Sequence, residues 1–133
     1  MYLIGTDIGT TGTKTVILDE NGDLVAKATK TYKVNTPKAS WAEQDANIWL
    51  DAFVATLKES VEKANINPSE IAGVSLSGLY GGSGVPVDKN MNPIYPCLIW
   101  MDRRAWKETQ WVKENIAKDK LFEITGNYVD SYF

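Results

Sequence analysis

The chain contains no histidine. Ser-His-Asp and Cys-His catalysis, and metal sites built on imidazole, are therefore excluded within its 133 residues. A single cysteine, Cys97, cannot form an internal disulfide and suits a reducing cytoplasm, which is the expected location. No apolar run is long enough to cross a bilayer, and Met1-Tyr2-Leu3-Ile4 meets Asp7 too soon to act as a signal peptide. Basic residues are scattered and the formal net charge is -3, so neither nucleic acid nor a membrane is expected as a partner. Gly-Lys-Ser/Thr and G-x-G-x-x-G are both missing, which removes the P-loop and the dinucleotide fingerprint.

What is present is concentrated near the start. Gly5-Thr6-Asp7-Ile8-Gly9-Thr10-Thr11-Gly12-Thr13-Lys14 follows an apolar lead-in and precedes Thr15-Val16-Ile17-Leu18, the pattern of a hairpin between two strands. Glycines let a backbone approach a bulky anion, and turn N–H groups and threonine hydroxyls can donate to phosphate oxygens. Lys14 adds positive charge, and Asp7 is placed to hold a hydrated divalent cation. An ordinary glycine-rich hairpin containing an aspartate reads the same way from composition.

Length suits one domain with a core of its own. Strands are expected at residues 2–8, 13–19 and 24–33, with Asn21-Gly22 as a type I′ turn between the last two. A helix N-capped by Asp45 should bury Trp49, Phe53, Leu57, Val61 and Ala64 and end before Pro68. Ile71–Leu76 reads as a strand, a glycine-rich bend follows at 78–84, and Cys97–Trp100 reads as a short buried strand. A second helix is expected from about Asp102 to Ala117, and a last helical turn should stop at Thr125-Gly126. These elements make an α/β domain with a mixed sheet, its first three strands antiparallel, flanked by helices.

Three motifs in order, Asp7-x-Gly9-Thr10-Thr11-Gly12-Thr13-Lys14, Trp41-Ala42-Glu43-Gln44-Asp45 and Pro96-x-x-x-Trp100-x-Asp102-x-Arg104, resemble the FGGY carbohydrate kinases over nearly the whole chain. The opening motif is shared with actin-like and heat-shock chaperone ATPases; the two tryptophan-containing segments are what separate the kinases from them. The resemblance implies a ribonuclease-H-like, actin-like core and a two-domain enzyme with its active site in the cleft. Residues 1–133 would be the N-terminal part of its first domain, and the chain's stop at Tyr132-Phe133 fits that expectation. The implied activity is transfer of the γ-phosphoryl group of Mg-ATP to a sugar hydroxyl, with a pentulose such as xylulose as the expected substrate. The catalytic aspartate would lie past residue 133, leaving this piece inactive alone.

On the same resemblance, Asp7 would orient Mg²⁺, and Gly9, Thr10, Thr11, Gly12, Thr13 and Lys14 would face the ATP phosphates. Tyr80, Gly81, Trp100, Asp102, Arg103 and Tyr132 would line the sugar pocket. At Tyr80-Gly81 the sequence departs from the Arg-Glu of glycerol kinases and the Met-His of xylulokinases. Asp102 reads equally as an N-cap of the following helix, and Trp41, Glu43, Gln44 and Asp45 read as structural. The full-length form could be a homodimer. A non-kinase actin-like ATPase and a binding-only module are the competing readings.

Overall fold

The computed structural model describes residues 1–78 and 84–132. They divide into two compact units, one from Met1–Val34 with 45–78, the other from Asn35–Gln44 with 84–132. Residues 35–44 leave the first unit, and Glu43–Gln44 pair with Cys97–Leu98 in the second.

The first unit is a four-stranded sheet under one helix. β1 (Tyr2–Ile8), β2 (Gly12–Asp19) and β3 (Leu24–Thr31) run antiparallel, and β5 (Ile71–Gly78) joins β1 in parallel, giving the order β3-β2-β1-β5. Alternation along the strands sends Ile4, Thr6, Thr13, Thr15, Ile17, Ala26 and Ala28 to the buried face. Helix α1 (Ala46–Ala64) covers this face over β2 and β3. Asp45 caps it as expected, its carboxylate accepting from Asn47 N–H at 2.9 Å.

The helix buries a narrower line than its apolar stripe suggests. Ala52, Thr56 and Ser60 are fully buried, while Trp49, Phe53, Leu57, Val61 and Ala64 flank them half-buried. Small side chains there let α1 approach the sheet closely. The Thr56 hydroxyl meets Thr15 Oγ1 at 2.8 Å, and Thr15 meets Thr6 Oγ1 at 2.8 Å.

The β2–β3 turn is not type I′, because Asn21 keeps a negative φ and only Gly22 is left-handed, at φ 88. The Asp19 carboxylate accepts from the N–H groups of Asn21 and Asp23, both at 2.9 Å, and this fixes the turn instead.

In the second unit, β4 (Glu43–Gln44) pairs antiparallel with β6 (Cys97–Leu98). Helix α2 (Trp106–Asn115) starts four residues later than expected, and α3 (Lys118–Thr125) stops at left-handed Gly126. Asp102 is therefore not a helix cap. Trp100 lies beyond the short strand, 41% exposed.

Candidate functional site

The first candidate region is the hairpin joining β1 to β2. Its glycines do not adopt positive φ; what marks them is the close approach of neighbouring backbone. A Cβ on Gly12 would sit 3.1 Å from the Lys30 carbonyl, and one on Gly9 would sit 3.2 Å from the Gly12 carbonyl. Gly9 N–H closes the loop onto Gly12 C=O at 2.9 Å. From the end of β3, Tyr32 reaches back, its N–H donating to Thr11 C=O at 3.0 Å and its hydroxyl to Gly9 C=O at 2.6 Å.

Strand register then decides which side chains share a face. Asp7 lies directly opposite Lys14 on β2 and opposite Ser77 on β5. All three line an open depression of about 270 Å³ with Gly5, Thr6, Val16 and Ser75. Asp7 and Lys14 are both exposed. One carboxylate, one ammonium and two serine hydroxyls suit a hydrated divalent cation beside a phosphate. Among the described residues no group of three His, Cys, Asp or Glu could hold a metal ion.

Thr13 falls on the other face. It is fully buried, and its hydroxyl lies 3.2 Å from the Tyr32 oxygen. Since the Tyr32 proton goes to Gly9, Thr13 is the donor of that pair. Its side chain therefore cannot cradle a phosphate, a correction imposed by the two-residue period of β2. Gly9, Thr10 and Gly12 are half-buried and Thr11 is exposed at the hairpin tip.

The second region belongs to the second unit. Asp102 N–H donates to Ile99 C=O at 2.8 Å, closing a tight turn with Trp100 and Met101 at its tip. Both feet of that turn are held by one residue. Ile99 N–H donates to Ala42 C=O at 3.2 Å, and Ala42 N–H donates to Asp102 Oδ2 at 2.7 Å. Arg103 N–H adds a bond to Ser40 C=O at 2.8 Å, and Ser40 itself sits in the left-handed region at φ 66.

Behind the turn lies a knot of charge. Arg104 Nε donates to both Asp102 oxygens at 2.9 Å, and its Nη2 donates to Asp102 Oδ2 and Glu43 Oε1, each at 2.7 Å. The guanidinium stacks on the Trp41 ring, 3.6 Å from its centroid. Burial alone would raise the Asp102 carboxyl, but hydrogen bonds from Arg104 and Ala42 outweigh it and hold the group below its ordinary value. The same bonds, donated to Asp102, raise Arg104 above the usual guanidinium value. Asp102 is 6% exposed and its oxygens are already bonded within the chain, so it holds the turn from beneath.

Arg103 and Tyr132 are brought together by a residue the sequence did not single out. Asp130 pairs with the Arg103 guanidinium and accepts from Tyr132 N–H at 2.9 Å. Tyr80 and Gly81 lie outside the described residues. Sequence reasoning also missed Tyr32 and Arg104. Arg104 lies two residues after Asp102 in the segment that begins at Pro96, and that spacing was a signal for an ion pair.

Comparison with known proteins gives this geometry a context. The model of the FGGY family of carbohydrate kinases, N-terminal domain, matches residues 2–133. A xylulose kinase of Staphylococcus xylosus is 34% identical over 128 residues, covering 96% of this chain and 26% of that protein. A glycerol kinase of Ligilactobacillus salivarius is 30% identical over 132 residues, 99% of this chain and 26% of that protein. Among solved structures, a xyloylose kinase from Brucella ovis superposes with a TM-score of 0.87 at 28% identity, over 100% of this chain and 27% of that one. The chain thus spans about a quarter of the length of the curated relatives it matches. The actin-like α/β fold, the hairpin and the two tryptophan-containing segments agree with the match, and the chain belongs to the FGGY family of carbohydrate kinases, as their N-terminal domain.

Proposed function

We propose that the intact protein carrying this chain phosphorylates a sugar hydroxyl from Mg-ATP, with a pentulose such as xylulose as the acceptor. The observation that carries the reading is the row Lys14, Asp7, Ser77 on one open face of the sheet, beside the glycine hairpin of an FGGY-family chain. Phosphoryl transfer needs little covalent chemistry from the protein; it needs positioning and neutralisation of developing charge.

In this reading Asp7 orients the hydrated metal, and Lys14 with the Gly9–Gly12 backbone receives the phosphates. Bound Mg-ATP supplies the transferred group and a divalent charge. Trp100, presented by its clamped turn, and Arg103 with Tyr132, joined through Asp130, form part of the acceptor wall. Asp102 supports that wall. The general base would come from the remainder of the parent protein. The pentulose is named from xylulose kinases at 34% and 35% identity; a glycerol kinase of Thermoanaerobacter reaches 35% as well, so the sugar panel and not the identity separates the two acceptors.

The test is a coupled ADP-release assay of the full-length protein against a panel containing xylulose, ribulose, glycerol and gluconate. Release that depends on xylulose is the expected result. Dependence on glycerol alone would move the substrate, and release indifferent to every sugar would remove the kinase reading in favour of an actin-like ATPase.

A further inference from the structure

We propose that Tyr32 is a positioning residue of the nucleotide site, holding the hairpin's carbonyls away from the phosphates; this rests on the reading of the hairpin as phosphate-facing. An anion-binding turn works only if its peptide dipoles point their N–H ends at the ligand, because a carbonyl oxygen turned toward a triphosphate repels it. The loop Gly9–Gly12 contains two glycines and cannot hold such an orientation by steric restriction alone. Three of its carbonyls are instead tied down. Gly12 C=O takes Gly9 N–H, and both of the others, Gly9 C=O and Thr11 C=O, are taken by Tyr32.

Peptide planarity converts those bonds into orientation. In a trans peptide the C=O and the next N–H point in opposite directions. Pinning Gly9 C=O toward the Tyr32 hydroxyl therefore aims the Thr10 N–H away from Tyr32, and the grip costs no charge that would compete with the ligand. The short 2.6 Å contact is at the strong end for an O–H donor. Thr13 donates into the same phenol oxygen from the buried face, which fixes the proton on the Gly9 side. Burial, and the negative charge of Asp7, raise the Tyr32 phenol above its ordinary value, so it stays a donor throughout the neutral range.

Tyr32→Phe removes one oxygen and keeps the ring, which makes it a clean probe in the full-length kinase. Titration calorimetry with Mg²⁺ and a non-hydrolysable ATP analogue should show affinity weakened about tenfold, the scale of one buried hydrogen bond plus a released carbonyl. Sugar affinity should not change. Thr15→Val supplies the structural control, because it breaks a buried hydrogen bond on the neighbouring strand β2 without touching the loop; it should lower the thermal midpoint at least as much and leave nucleotide affinity alone. Unchanged nucleotide affinity in Tyr32→Phe, or an equal loss in Thr15→Val, overturns the inference. Asp7→Asn separates this from the functional reading. If Asp7→Asn weakens turnover while Tyr32→Phe does nothing, only the role of Tyr32 falls; if Asp7→Asn is also neutral, the phosphates lie elsewhere and both fall.

Discussion

The β1–β2 hairpin and the Trp100 turn solve the same problem with opposite chemistry. Each is a short irregular segment whose backbone is held still by hydrogen bonds with side chains. The hairpin is held by neutral donors: the Tyr32 phenol and N–H, with the Thr6, Thr15 and Thr56 hydroxyls bonded in the layer beneath β1 and β2. The turn is held by ions, Arg104 between Asp102 and Glu43, with side chains 18%, 7% and 8% exposed. The difference teaches where charge is tolerable. On the proposed reading, a region that receives a triphosphate and a metal gains nothing from a fixed buried ion of its own, whereas a wall for a sugar can be braced by a compensated cluster.

The largest effect should come from breaking the ionic side. Arg104→Met leaves two nearly buried carboxylates without their cation, and removing one partner of such a cluster typically costs about 3 kcal/mol or more. Urea unfolding followed by tryptophan fluorescence should show the midpoint fall accordingly. Arg104→Lys sharpens the point: it keeps the charge but loses the fork and the stacking on Trp41, so it should recover only part of the loss. Full recovery by lysine would mean that charge alone, and not the planar geometry, braces the turn.

A smaller effect is expected on the neutral side. The order of protons in the hydroxyl chain follows from its end, because Thr56 donates to Phe53 C=O at 3.1 Å. Thr15 must then donate to Thr56, and Thr6 to Thr15. Thr15→Val leaves the Thr6 hydroxyl without its acceptor in a site only 4% exposed, and should cost about 1 to 2 kcal/mol. Replacing Thr6, Thr15 and Thr56 together by valine should be milder than Thr15→Val alone, since no buried hydroxyl is then left unpaired. A triple variant worse than the single would show that packing, not hydrogen bonding, sets the distance between α1 and the sheet.

These two regions also mark what a sequence can and cannot disclose. Strands β1 to β3, the Asp45 cap and the Gly126 stop were legible because each is decided within a few residues by alternation, a capping oxygen or a left-handed glycine. The facing of Asp7 and Lys14 was not read from the sequence, because it depends on the register of the hairpin. The start of α2 was misread because Asp102 spends its carboxylate on Ala42, 60 residues away, and on Arg104, instead of on the first turn of a helix. The buried line of α1 was misread for a related reason. Threonine and serine look polar in a hydropathy pattern, yet Thr56 and Ser60 are buried with their hydroxyls bonded. Tyr32 carried no signal at all, since its value lies in where the end of β3 delivers it.

The smallest effects concern pH, and they should appear at opposite ends of the scale. Asp102 is held below its ordinary value of 3.8, so its contribution to stability is complete above that pH and is lost as the pH falls through the lowered folded value. Tyr32 is raised above its ordinary value of 10.0, so its contribution is complete below pH 10 and drains away as the unfolded chain ionises first, until the raised folded value is passed. Asp19, in the β2–β3 turn, is also lowered by its backbone hydrogen bonds, so the acid limb of the whole chain is not Asp102 alone. The comparison is therefore made by difference. Thermal midpoints of Asp102→Asn should converge on those of the unmodified chain only toward acid pH, and those of Tyr32→Phe only toward alkaline pH. If both variants converge at the same end, the neutral-versus-ionic contrast between hairpin and turn does not describe how this protein holds them.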